Sequence, residues 1–275
     1  MKIKQWFYMS VNMFNKYSIS VYDIEIIFFI VFKKKRTWIF KNFNKIIFLK
    51  KLNQLNYLLS KRLNSEPLDY IIGNKNFFSL NFIISKYTLI PRTDTEILVK
   101  KILLKIKKYN SLILDLGTGC GNISLSIAKN NLKLKIIGVD YNKKAIKIAK
   151  KNSFLLNLKN VFFLHSNWFN SVKNIFFDII VSNPPYISYS DVSLLKKNIF
   201  FEPFNSLLSN KRGLKEIKYI IQTAKKYLND GGWLLIEHSF LNKNKIIFLF
   251  KLNKYKSISS FKDNNGINRI TLGKK

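Results

Sequence analysis

The sequence predicts an α/β fold, a mainly parallel sheet with helices on both faces, preceded by a small helical bundle and joined to it by a β-hairpin. Three observations carry this. Residues 1 to about 70 show helix-like spacing and little glycine. After Pro91 short apolar runs alternate with helical stretches, the pattern of strands threaded through crossover helices. Glycine- and proline-rich turns then fall at the ends of two of those runs, where an open parallel sheet places its ligand crevice.

The elements follow in order. Ile26 to Phe32 is an apolar run of seven residues, against the roughly 18 needed to cross a bilayer, and reads as a buried turn and a half of helix. Leu52, Leu55, Leu59 and Leu63 recur on one helical face until Pro67 stops the run. Phe77 to Ile84 changes to a β-rich pattern and predicts the hairpin. Strands are expected at Leu112 to Leu116, Leu134 to Asp140, Val161 to Leu164, Phe177 to Val181 and Trp233 to Glu237, with helices such as Lys143 to Asn152 and Leu214 to Leu228 between them. The expected division is a bundle over 1–75, a hairpin linker over 76–86 and a sheet domain over 87–275.

Composition narrows the function classes. With 275 residues, 47% of them hydrophobic, the chain can bury one substantial core and a small second domain, which excludes a disordered chain. The formal charge of +33 would suit a phosphate-bearing partner, but only five of the 48 basic residues are Arg, and the excess of Lys, Asn, Ile and Phe is the drift of an AT-rich genome. No stable nucleic-acid partner is therefore expected. The single cysteine, Cys120, excludes an internal disulfide framework and fits a reducing compartment, and the two histidines with no zinc-like spacing argue against a metal. No convincing signal peptide or spanning segment is present, so a cytoplasmic monomer without membrane attachment is expected.

Two motifs carry chemistry. Asp115-Leu116-Gly117-Thr118-Gly119-Cys120-Gly121 follows the first predicted strand of the sheet and opens a helix; its glycines permit a tight turn and close approach of a ligand to the backbone. The spacing differs from the dinucleotide fingerprint. Asp140 ends the next strand, where a carboxylate can accept both hydroxyls of a ribose. Cys120 needs no role beyond its small size. Downstream, Asn183-Pro184-Pro185-Tyr186 caps the run that ends at Val181. The Asn183 amide oxygen and the Pro184 carbonyl form a pair of acceptors for one –NH2 group, and Tyr186 can stack on a planar substrate. An amide or aromatic amine nitrogen is a weak nucleophile, so catalysis there rests on orientation and support of developing charge, without a strong general base.

Taken together, these residues resemble the release factor glutamine methyltransferases, the HemK/PrmC family. The likeness runs over about residues 65 to 275 through Glu66-Pro67…Tyr70-Ile71-Ile72-Gly73, Leu89-Ile90-Pro91-Arg92-Thr93-Asp94-Thr95-Glu96, the glycine loop, Val181 to Tyr186, Phe201-Glu202-Pro203, Glu237-His238 and Asp263…Arg269. The resemblance implies a Rossmann-like seven-stranded class I methyltransferase domain using S-adenosyl-L-methionine. It implies cofactor contacts at Asp115, Gly117, Thr118, Gly119, Cys120, Gly121, Asp140, Trp168 and Asn183, with Asp115 helping to hold the amino group. Asn183, Pro184, Pro185 and Tyr186 would hold the glutamine of the Gly-Gly-Gln loop of a peptide chain release factor. The sequence departs from the family pattern at Thr93, where proline is usual, at Asn167, where an acidic residue is usual, and at Phe200, often basic. A sister enzyme acting on a ribosomal-protein glutamine shares both motifs. More distant alternatives are an exocyclic-amine DNA or RNA methyltransferase and a cofactor-binding assembly factor without activity. The absence of a large target-recognition segment argues against DNA modification, and the intact motifs argue against the assembly factor.

Overall fold

A computed structural model describes residues 1–17, 19–106 and 110–275, and the chain divides into two compact units. The first comprises Met1–Gly73 with Lys197–Phe201. Among its described residues are the α-helices α1 (Ile3–Lys16), α2 (Val21–Phe32), α3 (Arg36–Lys41), α4 (Leu49–Leu63) and α5 (Leu68–Ile72). The apolar run from Ile26 belongs to a helix of 12 residues, longer than the run itself, because Ser20 caps its start by accepting from the Tyr22 N–H. Ile27 and Phe28 are buried, but Phe29 is 47% exposed, so the helix buries one face rather than its whole circumference. Leu55 and Leu59 of α4 join Trp6, Phe14, Ile24 and Phe28 in the core of this unit, with Leu52 and Leu63 packed at its margin. Arg62 ties α4 to α2 through a 2.7 Å ion pair with Asp23.

The second unit comprises Asn74–Lys196 and Glu202–Lys275. It opens with a hairpin of β1 (Asn74–Phe77) and β2 (Leu80–Ile83), which begins three residues before the predicted stretch. Gly73, at φ 83°, ends α5 there, and Phe78 and Ser79, both at positive φ, make the tight turn. The predicted sheet is present with seven strands: β3 (Leu112–Leu116), β4 (Lys135–Asp140), β5 (Val161–His165), β6 (Phe177–Ser182), β9 (Leu228–Glu237), β10 (Lys256–Lys262) and β11 (Asn268–Lys274). A two-residue pair, β7 (Ile187–Ser188) and β8 (Leu208–Ser209), lies apart. The order is β10-β11-β9-β6-β3-β4-β5, parallel except for β11, which runs antiparallel to both neighbours. Helices α6 (Glu96–Leu103), α7 (Asn122–Asn130) and α8 (Lys143–Leu155), with later helices Lys215–Tyr227 and Lys243–Leu252, cover the sheet. Leu114, Leu116, Phe177, Ile180, Leu234 and Ile236 pack with Ile217, Ile220 and Phe250 in a hydrophobic core of this unit.

This topology builds the crevice. From β3 the chain moves outward through β4 and β5, then returns to the opposite side of β3 for β6 and β9. The order therefore reverses between β3 and β6, where strand ends diverge and ligands settle. Leu116 pairs with Val139 on one side and with Ser182 on the other. The segments that begin at Gly117, Asp140 and Asn183 consequently leave the sheet side by side.

Candidate active site

At that edge lies a cleft of about 940 Å³, lined by Gly117, Thr118 and Gly119, by Asp140, Asn167 and Trp168, by Asn183, Pro184 and Pro185, and by Arg92 and Thr95. The glycine loop forms its floor. Gly117, Gly119 and Gly121 all take positive φ, at 74°, 58° and 84°, a region that L side chains rarely occupy. A Cβ at Gly119 would meet nothing within 4 Å, so its conformation alone requires glycine there. At Gly121 a Cβ would also stand 2.9 Å from the Phe163 ring. The N–H groups of Gly117 and Thr118 both donate to the Val139 carbonyl at 2.9 Å, which holds the loop against the end of β4.

Asp140 is placed as the spacing predicts, at the end of β4 and in the cleft wall. Its Oδ2 accepts from the Gly119 N–H at 2.9 Å and its Oδ1 from the Asn142 N–H at 2.8 Å. Burial pushes its pKa up, and these two backbone donors oppose that. Each carboxylate oxygen keeps a lone pair for a further donor, which suits a ribose diol. Trp168 lies across the loop, with its Cζ3 3.9 Å from where a Gly117 Cβ would stand. Its backbone has φ 50°, strained for a bulky residue, and the Ser166 hydroxyl donates to its carbonyl at 2.8 Å. The ring supplies a flat apolar surface in the same cleft as Asp140, so the lining fits a nucleoside.

Three of the expected loop residues stand behind the wall. Asp115 is fully buried: side chains alternate along β3, and its carboxylate turns away from Leu114 and Leu116 towards α7. There Oδ2 accepts from the Ser124 and Thr118 hydroxyls at 2.6 and 2.7 Å, while Oδ1 has no hydrogen-bond partner among the described residues. Desolvation raises its pKa to about 6, against those hydroxyl donors. Through Oδ2 the carboxylate braces β3, the loop and α7 together. Cys120 is also buried and its thiol pKa is pushed up to about 12, as expected of an inert small residue. Gly121 sits under Phe163 and is the N-cap residue of α7.

On the opposite wall, Asn183, Pro184 and Pro185 face the cleft. Tyr186 does not. Its ring packs against the sheet core and its hydroxyl donates to Glu237 Oε1 at 3.3 Å, which anchors the turn from beneath. Gly213, at φ 79°, lets the following segment pass over that turn: a Cβ there would lie 2.1 Å from the Tyr186 carbonyl oxygen.

Several residues of this wall carry roles that the sequence did not assign. Asn183 Nδ2 donates to the Thr95 hydroxyl at 3.3 Å, and Glu237 Oε2 has no hydrogen-bond partner among the described residues. Glu237, 2% exposed at the end of β9, has its pKa raised to about 7, mainly by desolvation. Glu202 accepts from the Ile90 N–H at 3.0 Å and pairs with Arg92, joining two quoted motifs across one edge of the cleft. A carboxylate closing the apolar run Leu234-Leu235-Ile236 was the available signal for Glu237; nothing local marked Thr95.

Comparisons with known proteins agree with this geometry. The Methyltransferase small domain family matches residues 92–260, and the PrmC N-terminal domain family matches residues 14–73. The chain is 47% identical to the release factor glutamine methyltransferase of Buchnera aphidicola subsp. Baizongia pistaciae (strain Bp), over all of both chains. It is 43% identical to the protein of that name from Buchnera aphidicola subsp. Acyrthosiphon pisum (strain APS), over 100% of this chain and 99% of the other. Among solved structures, a methyltransferase from Pyrococcus furiosus superposes with a TM-score of 0.54 at 20% identity, covering 81% of this chain and 97% of that one, a likeness of fold.

Proposed function

The chain belongs to the release factor glutamine methyltransferase family, and on that premise we propose that it methylates the side-chain amide nitrogen (N5) of the glutamine in the Gly-Gly-Gln motif of peptide chain release factors. The observation that carries the reading is the shared cleft: the glycine loop and Asn183-Pro184-Pro185 leave adjacent strands, in register at Leu116 and Ser182, and line one cavity. The relatives' shared name favours a release factor over a ribosomal-protein glutamine as substrate.

S-adenosyl-L-methionine, which this family uses, supplies an electrophilic methyl group on a sulfonium when bound. The residues that would hold it are Gly117, Thr118 and Gly119 through their backbone, Asp140 through its carboxylate and Trp168 through its ring. Asp115 acts behind them by keeping the loop in shape. On the substrate side, Asn183 Oδ1 accepts one amide N–H and the Pro184 carbonyl accepts the other, which orients the nitrogen lone pair along the transfer direction. As the nitrogen pyramidalises its protons become more acidic, and the same two acceptors strengthen in the transition state. The proton is lost late, so no strong base is needed.

No helix among the described residues is long and apolar enough to cross a membrane. A release factor as substrate supports a cytoplasmic location, and the protein is proposed to act as a monomer that meets its substrate transiently. The test is mass spectrometry of a release factor incubated with the protein and S-adenosylmethionine, beside the same factor with the Gly-Gly-Gln glutamine replaced. A gain of one methyl group confined to that glutamine is expected. Gain at another residue, or none with cofactor binding confirmed, would overturn the reading.

A further inference from the structure

The large sheet ends in two edge strands, β10 and β5, and they differ in how they are protected. An open edge invites another chain to add a strand, and natural sheets blunt it with charge, proline or bulges. β10 begins and ends with Lys256 and Lys262, and its pairing with β11 carries two register shifts. β5, Val161-Phe162-Phe163-Leu164-His165, has no lysine, arginine, acidic residue or proline, and it pairs with β4 along its whole length without a break. Among the described residues no strand pairs on its other side.

The free edge can be assigned residue by residue. The Asn160 carbonyl accepts from the Ile136 N–H at 3.0 Å, and the Ser166 N–H donates to the Asp140 carbonyl at 2.9 Å, so the even-numbered residues turn their backbone groups to β4. Val161 and Phe163 therefore turn their N–H and C=O groups outward, at the alternate spacing that an incoming strand requires. Beside this edge a groove of about 630 Å³ runs between α8 and β5, lined by Phe154, Leu158, Phe162 and Leu164 together with Lys150 and Lys159. Phe154 is 84% exposed and Phe162 57% exposed. Between Asp140 and Asp178 the sequence holds seven lysines and no acidic residue. The groove shares no lining residue with the methyl-transfer cleft.

We propose that the β5 edge and its groove dock an extended acidic polypeptide segment, which adds as a strand and places alternate apolar side chains in the groove. Charge complementarity selects this occupant. A second copy of a chain with a formal charge of +33 is repelled, whereas carboxylates would meet Lys150 and Lys159. A nucleic acid would satisfy the lysines but has no repeating backbone donor and acceptor to match Val161 and Phe163.

The test uses the full chain and an octapeptide of alternating Glu and Val, blocked at both ends, with the same peptide carrying Lys for Glu as control. Fluorescence anisotropy gives the Kd, and hydrogen exchange followed by NMR reads individual amides. The acidic peptide is expected to bind roughly tenfold or more tightly than the basic one, and to slow exchange at Val161 and Phe163. Lys150→Glu combined with Lys159→Glu should weaken its binding by roughly tenfold or more, while the methylation rate, measured on a release factor, stays that of the wild type and reports an intact fold. No binding, equal binding of the basic peptide, or binding with Val161 and Phe163 exchanging as before would overturn the proposal and leave the methyltransferase reading intact. So would an oligouridylate that binds more tightly than the peptide and is lost in the same double variant, which would assign the groove to nucleic acid. Concentration-dependent protection of the two amides in the protein alone would assign the edge to a second copy and overturn it as well.

Discussion

The backbone N–H of Gly119 donates to Asp140 Oδ2 at 2.9 Å, so the glycine loop and the carboxylate of the neighbouring strand act as one unit. Asp140 thus holds the loop, and on the proposed reading it also offers acceptors to a diol. Asp140→Ala removes both and should weaken binding of S-adenosylmethionine by roughly 10- to 100-fold, each charged hydrogen bond contributing about 1.5–3 kcal/mol. Calorimetric titration measures this directly. The rate at saturating cofactor should fall much less, and an unchanged Kd would remove Asp140 from the cofactor site.

Asn183→Ala should show the opposite pattern. The residue lines the cleft with its amide nitrogen turned to Thr95; on the proposed reading its oxygen serves the substrate, so cofactor affinity should remain within about threefold while kcat drops by roughly 100- to 1000-fold, the scale for deleting one preorganised transition-state contact. Equal losses in both quantities would refute this division of labour between the walls.

The sequence made part of this site legible and hid the rest for identifiable reasons. Strands β3, β4 and β6 are buried on both faces and read as continuous apolar runs, and the loop's glycines answer a backbone demand that is local in the chain. By contrast β10 and β11, Lys256–Lys262 and Asn268–Lys274, mix Ser, Lys and Asn with few apolar residues and showed no such run; only the resemblance implied them. Side-chain direction was harder still. Asp115 and Tyr186 occupy motif positions that point inward, Asp115 because of strand alternation and Tyr186 because a carboxylate 51 residues away receives its hydroxyl. The link from Asn183 to Thr95 spans 88 residues and exists only once β6 is laid beside β3 and α6 is packed.

Gly213 tests the packing of the substrate-side turn. A Cβ there would overlap the Tyr186 carbonyl oxygen at 2.1 Å, a backbone atom that no rotamer change can move, and φ 79° adds the penalty of the left-handed region. Gly213→Ala should cost about 2 kcal/mol or more in thermal or denaturant unfolding and slow turnover by displacing the Asn183-to-Tyr186 turn. Gly266→Ala is the control: φ is 78° but a Cβ would meet nothing within 4 Å, so only the conformational penalty of about 1 kcal/mol remains. Equal costs at the two positions would mean that the contact with Tyr186 is immaterial.

The buried carboxylates give stability a pH dependence of definite sign. Glu237 is raised from 4.5 to about 7 and Asp115 from 3.8 to about 6, in both cases mainly by desolvation. Between the unfolded and folded values the native state binds more protons, so stability is fully present below the unfolded pKa and is lost as pH rises through the folded one. The groups facing Glu237 are Tyr186, which donates to it, Thr95 and Arg269, which favour its charge, and Asp94, which opposes it. The adjoining His238 is held toward its neutral form by burial, which gives the opposite slope as pH falls below about 6.5. Comparison with Glu237→Gln isolates the carboxylate, because Gln keeps an acceptor oxygen but does not titrate. The Tm of the variant should therefore gain on that of the wild type as pH is raised from about 5 to about 8. A difference that stays constant over that range would show that Glu237 carries its charge in the fold without penalty, and that Thr95, Tyr186 and Arg269 together offset the desolvation that otherwise dominates it.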